Sequence, residues 1–185
     1  MHICVFCSAQ DVPEPYTVAA SELGRRIAQG GHTLVWGGSD RGVMRTLADS
    51  AQEAGGKLVG ISMEIVGGNA RQNADEMVIE KDLATRKATM LKRSDAFVVM
   101  AGGIGTLDEA TEMIALKRHR VHAKPIIFLD TAGFYEGTKK QFEIMEREGF
   151  FADGGKNVME GFGNLAYFAA TPEEAMRYIE SYGQD

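Results

Sequence analysis

Cysteine is scarce in this chain, and its scarcity limits what kind of protein this can be. Among 185 residues only Cys4 and Cys7 occur, in the stretch HICVFCSAQ. At this length a chain buries a continuous core without disulfides or structural metals, and no second Cys or His pair stands at zinc-finger spacing. The two cysteines lie three apart in a strand-like run, so we expect them to point to opposite faces of a sheet. Neither a disulfide between them nor shared coordination of a metal is expected.

Long apolar runs and an excess of positive charge are also missing. No run approaches the length needed to span a membrane, and the first predicted strand begins at residue 2, which leaves no room for a signal peptide. The net charge is -6 and the pI is about 5.3. Phosphate backbones and anionic lipid headgroups do not attract such a surface. We therefore expect a cytoplasmic protein whose partners include neither nucleic acid nor a membrane.

The chain does contain a regular alternation of apolar and amphipathic segments. The strand-like runs are ICVFC, TLVW, KLVGIS, EMVIE, AFVVM, PIIFLD and LAYFAA. Between and after them the periodicity predicts helices over about Tyr16 to Gln29, after Gly42, over Asp82 to Arg93, after AGGIG, near Phe134 to Glu148 and from Pro172. Strands that are apolar on both faces and alternate with helices are typical of a parallel sheet covered by helices. The prediction is an α/β fold, a doubly wound Rossmann-like sheet with helices on both faces, in a single domain spanning residues 1–185.

Glycine, with 22 copies, gathers where predicted strands give way to helices. In open parallel sheets ligands bind beyond the carboxyl ends of the strands. The junctions CSAQD, WGGSDRGVM and AGGIGTLDE are therefore the candidate sites. The irregular, polar segment from Met63 to Asp75 is either a surface loop near the mouth of the site or a plain connector.

The junction AGGIGTLDE has the properties of an anion site. Gly102, Gly103 and Gly105 allow a ligand to approach the backbone closely, and a helix predicted to start near Thr106 presents unpaired amides and the positive end of its dipole. An ordinary tight turn is the alternative. The second glycine cluster, in WGGSDRG, favours a phosphate ligand. The first junction holds no glycine, which excludes the dinucleotide fingerprint, and no P-loop motif is present. No lysine is marked as a Schiff-base former for pyridoxal phosphate.

Three acids follow at the start of that helix. Thr106 and Glu109 fit a capping box, in which Glu109 would bond only the amide of its own N-cap residue. Alternatively, a phosphate bound at the helix start would occupy the amides, and the acid would face a neutral hydroxyl or a developing positive charge instead. A ribose supplies both. Glu112, one turn later, is predicted to support Glu109, whereas Asp108 is predicted to be solvated.

A basic pair, Arg86 and Lys87, lies one turn into an earlier predicted helix, in KDLATRKATMLKRSD. Exposed Arg and Lys are commonplace on surface helices, so the residue types alone leave open whether the pair is functional.

The stretches DLATRK and AGGIGTLDE together resemble the LOG (Lonely Guy) family, cytokinin riboside 5'-monophosphate phosphoribohydrolases often mislabelled lysine decarboxylases. The family hallmark is P-G-G-x-G-T-x-x-E, preceded by an R-K pair. The resemblance continues in ICVFC, LVWGGSDRGVM, SDAF, HAKP and GFYEG. It implies hydrolysis of a nucleoside 5'-monophosphate, such as AMP or a cytokinin riboside 5'-monophosphate, to a free base and ribose 5-phosphate. It also implies that no metal or organic cofactor is needed, and that the protein forms a homodimer with the helices around the motif in the interface.

The resemblance also implies roles for individual residues. Arg86 and Glu109 would be the catalytic pair, with Glu109 on the ribose and Arg86 assisting departure of the base. The substrate would be bound by Gly37, Gly38, Met44, Lys87, Gly102, Gly103, Ile104, Gly105, Thr106 and Glu112. Within this set the motif glycines and Thr106 would hold the phosphate, and Gly37, Gly38 and Met44 would line the nucleotide pocket.

Several positions depart from the family pattern. Ala101 replaces the motif proline, Ser39 replaces a glycine, Arg45 stands where glycine is usual, and the segment Leu116 to Val121 is divergent. The preferred base is therefore left open. A different class of function also stays open, since related molybdenum-cofactor carrier proteins bind without turnover; the presence of both Arg86 and Glu109 favours catalysis.

Overall fold

The computed structural model describes residues 1–151 and 162–183 and shows a sheet of seven parallel strands. The strands lie in the order β4-β3-β2-β1-β5-β6-β7. Their bounds are β1 His2–Phe6, β2 Thr33–Trp36, β3 Lys57–Met63, β4 Glu76–Glu80, β5 Ala96–Val99, β6 Ile126–Leu129 and β7 Tyr167–Ala169.

Within the described residues, six α-helices connect and cover these strands. They are α1 Glu14–Gln29, α2 Gly42–Glu53, α3 Leu83–Arg93, α4 Ile104–Arg118, α5 Glu136–Arg147 and α6 Pro172–Ser181. Short 3₁₀ helices occupy Glu64–Asn69, Thr131–Gly133 and Phe162–Asn164. Buried side chains of α1, α2 and α6 share one apolar cluster, and those of α3, α4 and α5 share a second. The predicted doubly wound α/β fold, with helices on both faces, is confirmed.

The central strands are buried on both faces, as their continuous apolar sequences require. All four residues of β5 and all four of β6 are buried. Cys4 and Cys7 are free thiols that belong to different clusters, Cys4 with the α3–α5 layer and Cys7 with the α1–α2–α6 layer. They therefore point to opposite faces, as predicted. Burial raises the pKa of both thiols above the ordinary thiol value, which keeps them protonated.

The strand order reverses between β1 and β5, because the first half of the chain builds outward from β1 and the second half from β5. Val5 of β1 pairs with Val98 of β5, so the segments that follow these strands leave the sheet side by side. This reversal is the topological switch point at which open α/β sheets bind ligands. Two of the three candidate junctions, CSAQD and AGGIGTLDE, meet there.

Helix starts follow the local sequence signals. The Asp82 side chain accepts a hydrogen bond from the Thr85 amide at 2.8 Å and caps α3. Thr171 caps α6 in the same way, and Pro172 occupies its first turn. No helix within the described residues is both long and apolar enough to cross a membrane. The predicted single domain also includes residues 152–161 and 184–185, which lie outside the described residues.

Candidate functional site

An ion pair between Arg86 of α3 and Glu109 of α4 forms the centre of the site. The Arg86 Nη1 atom lies 2.6 Å from Glu109 Oε1, and the Arg86 Nε donates to the backbone carbonyl of Ile61 at 2.9 Å. Arg86 is 8% exposed and Glu109 is 6% exposed. The second contact fixes the guanidinium plane over the end of β3, so the charged pair has one defined orientation.

Burial governs the protonation of Glu109. Removal from water raises the pKa of its carboxyl above the ordinary value of 4.5, and the positive charge of Arg86 opposes this rise without cancelling it. The result is a carboxylate that takes up a proton more readily than an exposed one. Carboxyls with raised pKa values suit proton transfer near neutral pH.

The capping box predicted as an alternative role for Glu109 does not form. Helix α4 begins at Ile104 with Gly103 as its N-cap residue, which makes Thr106 the third residue of the helix rather than its cap. Glu109 lies in the second turn, and its carboxylate is engaged by Arg86. The structure thus leaves Glu109 beside the cavity instead of against its own backbone.

The glycines of AGGIGT differ in what they face. A Cβ on Gly102 would meet the Thr106 Oγ1 at 2.2 Å, so Gly102 is needed for close packing of the turn on the helix. Gly103 and Gly105 face open space, where a Cβ would meet nothing within 4 Å. The first intrahelical bond runs from the Leu107 amide to the Gly103 carbonyl at 3.1 Å. The amides that precede it are therefore without an intrahelical acceptor, as at any helix start.

Gly103 and Gly105 border a cavity of about 310 Å³ that also contains the ion pair. We call it the α4 cavity; its lining residues are Cys7, Ser8, Ala9, Gln10, Met44, Arg86, Gly103, Gly105, Thr106 and Glu109. Free amides, the positive end of a 15-residue helix and two side-chain-free positions are together features that favour an anionic ligand. The ion pair lies on the same cavity. An anionic ligand held at the helix start would therefore place its next few atoms opposite Glu109.

The second glycine cluster serves the fold rather than an anion. The amides of Val43 and Met44, in the first turn of α2, donate to the carbonyls of Gln10 and Ser8 at 3.3 and 3.1 Å. Gly42 has a φ of 54°, and a Cβ there would lie 2.3 Å from the Gln10 carbonyl oxygen. The interpretation of this cluster as support for a phosphate is therefore wrong: the β1–α1 loop occupies the helix start that the phosphate would need.

The other glycines of that cluster make room for side chains. A Cβ on Gly37 would lie 2.7 Å from the Arg86 Nη2 and 2.7 Å from the Met44 Cε, so only glycine lets Arg86 pass over β2. Gly38 has a φ of 76° and packs against Met77 and Ser62. Gly37 and Met44 line a cavity as predicted, whereas Gly38 lies behind its wall.

A second cavity, of about 360 Å³, opens beyond Arg86 at the ends of β2 and β3. We call it the β2–β3 cavity; it is lined by Ala9, Gln10, Gly37, Ser39, Arg41, Met44, Ser62, Met63, Asn69 and Arg86. Four of these residues, Ala9, Gln10, Met44 and Arg86, also line the α4 cavity, so the two cavities are neighbours. The segment from Met63 to Asp75 supplies Met63 and Asn69, which favours its interpretation as a loop at the mouth of the site.

Lys87 and Glu112 do not line either cavity; they bind each other. The Lys87 Nζ lies 2.5 Å from a Glu112 carboxylate oxygen and 2.8 Å from one of Asp108. Hydrogen bonds to both carboxylates raise the pKa of Lys87. The prediction that Glu112 supports Glu109 is wrong, and Asp108, predicted to be solvated, is half exposed but paired. The Ile104 side chain is 82% exposed, and Ile104 is not among the residues that line the α4 cavity.

Sequence reasoning missed the residues that shape the outer part of the site. Ser62 and Asn69 follow no motif, and Arg71 reads as an ordinary loop arginine although it is 6% exposed. The Arg71 guanidinium binds Asp40 at 2.9 Å, Asp49 at 2.6 Å and Gln52 at 2.6 Å. The sequence feature that could have pointed to this region is Ser39, which replaces a glycine of the family pattern. Its backbone forms a bridge with Ala70 of the same loop.

The fold and the site define a Rossmann-like α/β protein in which an open helix start and a buried Arg–Glu pair share one cavity at the switch point. The chain belongs to the LOG family, whose model, described as "Possible lysine decarboxylase", matches residues 44–179. This assignment confirms the resemblance found in the sequence.

Two curated relatives cover most of the chain. It is 36% identical over 139 residues to the cytokinin riboside 5'-monophosphate phosphoribohydrolase of Mycobacterium tuberculosis, a match that covers 74% of each chain. It is 30% identical over 187 residues to a protein of the same name from Arabidopsis thaliana, covering 97% of this chain and 82% of that one.

Solved structures of similar fold include molybdenum-cofactor proteins. The molybdenum cofactor binding protein of Rippkaea orientalis has a TM-score of 0.73 at 23% identity and covers 97% of this chain and 95% of its own. The molybdenum cofactor carrier protein of Chlamydomonas reinhardtii has a TM-score of 0.71 at 25% identity, covering 97% and 96%. The scaffold is thus shared by proteins named as hydrolases and proteins named as carriers.

Proposed function

We propose that this chain hydrolyses the N-glycosidic bond of a nucleoside 5'-monophosphate, releasing the free base and ribose 5-phosphate. The names of the curated relatives support this reaction class. The observation that carries the proposal is the position of the Arg86–Glu109 pair, 2.6 Å apart and buried, on the same cavity as the open start of α4. A cofactor carrier needs an anion site but has no use for a buried acid opposite the sugar.

In the proposed complex each part of the nucleotide has its own place. The phosphate binds the free amides at Gly103, Gly105 and Thr106, where no side chain intervenes. The ribose then lies opposite Glu109, one helical turn further along α4. The base points past Arg86, toward the β2–β3 cavity.

The reaction proceeds through charge development on the sugar. The bond from C1' to the base nitrogen breaks with its electron pair leaving on the base, and the positive charge on the ribose is stabilised by the Glu109 carboxylate. Water adds its oxygen to C1' and passes one proton to Glu109, whose raised pKa suits it to accept. The departing base takes up a proton from solvent, and Glu109 returns the proton it received to solvent, so that water supplies OH to C1' and H to the base in the net reaction. Arg86 orients Glu109 and stabilises negative charge on the leaving base.

A nucleotide panel and one matched variant test the proposal. The protein is incubated with AMP, other nucleoside 5'-monophosphates and the corresponding nucleosides, and free base is measured by chromatography. We expect release from monophosphates and little from nucleosides, because nucleosides lack the anion that α4 binds. Glu109→Gln should retain nucleotide binding and lose turnover by about three orders of magnitude, the range expected for removing a positioned acid or base.

The control variant is Glu22→Gln, which breaks another Arg–Glu pair, with Arg26 at 2.8 Å on α1, away from both cavities. It should keep full activity. Nucleotide binding without base release from any monophosphate would instead assign the chain to the carriers. Undiminished turnover in Glu109→Gln would remove Glu109 from the mechanism.

A further inference from the structure

The turn of residues 100–103 joins β5 to α4 and positions the amides that bind the phosphate in the proposed function, on which this inference rests. Ala101 stands in this turn where the family pattern has proline. A proline would fix its own φ and restrict the residue before it to extended conformations. Because alanine is followed by two glycines, the local sequence by itself leaves the turn free to adopt many conformations.

A buried tyrosine bonds the main chain at the start of this turn. The Tyr135 hydroxyl donates to the Met100 carbonyl at 2.6 Å, and the Met100 amide donates to the Phe6 carbonyl at 2.9 Å. The paired residues of β1 and β5 end at Phe6 and Val99, so the Met100 carbonyl lies past the last pair. No other donor to this carbonyl is found among the described residues. The hydroxyl therefore holds the Met100 peptide where the sheet no longer does.

Tyr135 is itself held in one position. It is 1% exposed, its amide donates to the Asp130 Oδ1 at 2.7 Å, and its carbonyl accepts from the Lys139 amide at 2.8 Å. The rings of Phe128 and Phe134 each contact its ring edge-on, with centroids 5.0 Å apart. Burial raises the pKa of the hydroxyl above the ordinary value of 10, so it stays protonated and remains a hydrogen-bond donor. Tyr135 lines neither cavity, so it acts on the site through the main chain that it bonds.

We propose that Tyr135 is a positioning residue for phosphate binding, because its hydroxyl fixes the Met100 peptide and thereby the amides that border the α4 cavity. Ile104, the first residue of α4, follows Met100 by only four residues. Gly102 is packed closely on Thr106, so a rotation of the Met100 peptide is passed on to the helix start instead of being absorbed in the turn. Small displacements of a binding group are costly to ligand binding.

Tyr135→Phe removes the hydroxyl and keeps the ring. The dissociation constant for AMP should rise by about ten-fold, whereas that for adenosine, which lacks the phosphate, should stay within about two-fold of wild type. Hydrogen exchange of the amides from Gly102 to Thr106 should become faster, because the turn has lost a bond that restrains it. An equal rise of both dissociation constants, or an unchanged rate of exchange in the turn, would overturn the proposal.

Tyr167→Phe is the matched control. It also removes a tyrosine hydroxyl that forms a hydrogen bond, in this case to Glu174, and Tyr167 lines neither cavity. Its dissociation constants for AMP and adenosine should equal those of wild-type protein. Weaker AMP binding in this variant, by as much as in Tyr135→Phe, would contradict a specific role for Tyr135.

Ala101→Pro tests whether the hydroxyl acts by restricting the turn. The Ala101 amide donates no backbone hydrogen bond within the described residues, so a proline there removes none. In the Tyr135→Phe background it should restore AMP binding to within about three-fold of wild type, a larger gain than in the wild-type background. A folded double variant that binds AMP as weakly as Tyr135→Phe would overturn the proposal.

Turnover separates this inference from the proposed hydrolase. AMP binding by wild-type protein without release of adenine, together with about ten-fold weaker binding by Tyr135→Phe, would overturn the hydrolase and support the role of Tyr135. Release of adenine with the same KM by wild-type protein and by Tyr135→Phe would support the hydrolase and overturn the role of Tyr135. No binding of AMP to wild-type protein would overturn both.

Discussion

At Glu109, burial and a neighbouring charge act on the same carboxyl in opposite directions. Desolvation raises its pKa and Arg86 lowers it, with desolvation the larger effect. The ionised carboxylate is the form that stabilises a cationic sugar. Activity should therefore fall as the pH decreases through the raised pKa of this group, above the ordinary value of 4.5.

The pH dependence of kcat in wild-type protein tests this assignment. We expect an acid limb centred above pH 4.5, whereas the residual activity of Glu109→Gln should lack that limb. An unchanged acid limb in the variant would assign the limb to another group.

The same shift makes a prediction about stability. The pKa of Glu109 is higher in the folded state than in the unfolded state, so the folded state binds the carboxyl proton more tightly. The stabilisation of the folded state that results from this tighter binding is fully present only below the unfolded pKa. It is lost as the pH rises from 4.5 through the raised pKa. The free energy of unfolding of wild-type protein relative to Glu109→Gln should therefore decrease over that interval and become constant above it, as measured by denaturant titration at a series of pH values. A relative stability that increases with pH would show that Arg86 outweighs burial.

A substitution at Gly105 is expected to increase stability while it weakens ligand binding. Gly105 is the second residue of α4, and a Cβ there meets nothing within 4 Å. Gly105→Ala should raise the free energy of unfolding by up to about 1 kcal/mol, because alanine favours a helix over glycine. The added methyl group points into the α4 cavity, so the KM for nucleoside monophosphates should rise by about ten-fold or more.

Gly102→Ala is the contrasting variant. Its Cβ would lie 2.2 Å from the Thr106 Oγ1, so this variant should lose stability along with activity. If Gly105→Ala bound nucleotide as tightly as wild-type protein, the phosphate would not bind at the start of α4.

At the scale of elements, two neighbouring residues of α3 bind neighbouring turns of α4. Arg86 holds Glu109, and Lys87 holds Asp108 and Glu112. The Lys87 ammonium is largely buried, but its partners are 49% and 34% exposed, so solvent screening limits what the contact contributes to stability. We infer that Lys87 positions α3 against α4 and thereby aligns Arg86 with Glu109.

Lys87→Met tests this positioning role. The free energy of unfolding should decrease by about 1 kcal/mol, and kcat should fall while KM stays within about two-fold of wild type. Lys140→Met is the control, since it removes a lysine bound to Glu143 on the surface of α5. A KM increased by an order of magnitude at unchanged stability would make Lys87 a substrate-binding residue, as the sequence resemblance implied.

At the scale of the molecule, the resemblance implies a homodimer with α4 and its neighbours in the interface. Leu83, at the start of α3, is 53% exposed, and Ile104, at the start of α4, is 82% exposed. Exposed apolar side chains on the helices that surround a site fit such an interface. We therefore propose that the α3–α4 layer contacts a second copy of the chain.

The mass in solution tests the assembly. Light scattering should give about twice the 20.1 kDa of one chain. Leu83→Glu should shift the mass toward a single chain, because it buries a carboxylate in the interface. Val18→Glu, on the α1 layer at 56% exposure, should leave the dimer unchanged. A wild-type protein of 20 kDa would contradict the proposal.

Most elements were predictable because periodicity is a local property of the chain. The runs TLVW and EMVIE coincide with β2 and β4, and the helix predicted over Asp82 to Arg93 differs from α3 only by its cap residue. The prediction differs more at LAYFAA, of which only Tyr167–Ala169 forms β7. There the strand pairs with β6 alone at the edge of the sheet, so its length depends on its neighbour rather than on its own sequence.

The contacts within the site were less predictable. The same glycine-rich signal occurs before α2 and before α4, yet the amides of α2 are bonded to the β1–α1 loop and those of α4 face a cavity. No local pattern distinguishes the two, because the loop that fills one of them lies more than 30 residues away in sequence.

The amino-acid sequence sufficed to specify the alternation of strands and helices and the glycine turn before α4, since hydrophobic period and backbone freedom are properties of neighbouring residues. Tertiary packing assigned the partners: Arg86 to Glu109, Lys87 to Asp108 and Glu112, and Arg71 to α2. Such pairings depend on distances between segments far apart in the chain, and these distances exist only once the sheet has brought the helices together.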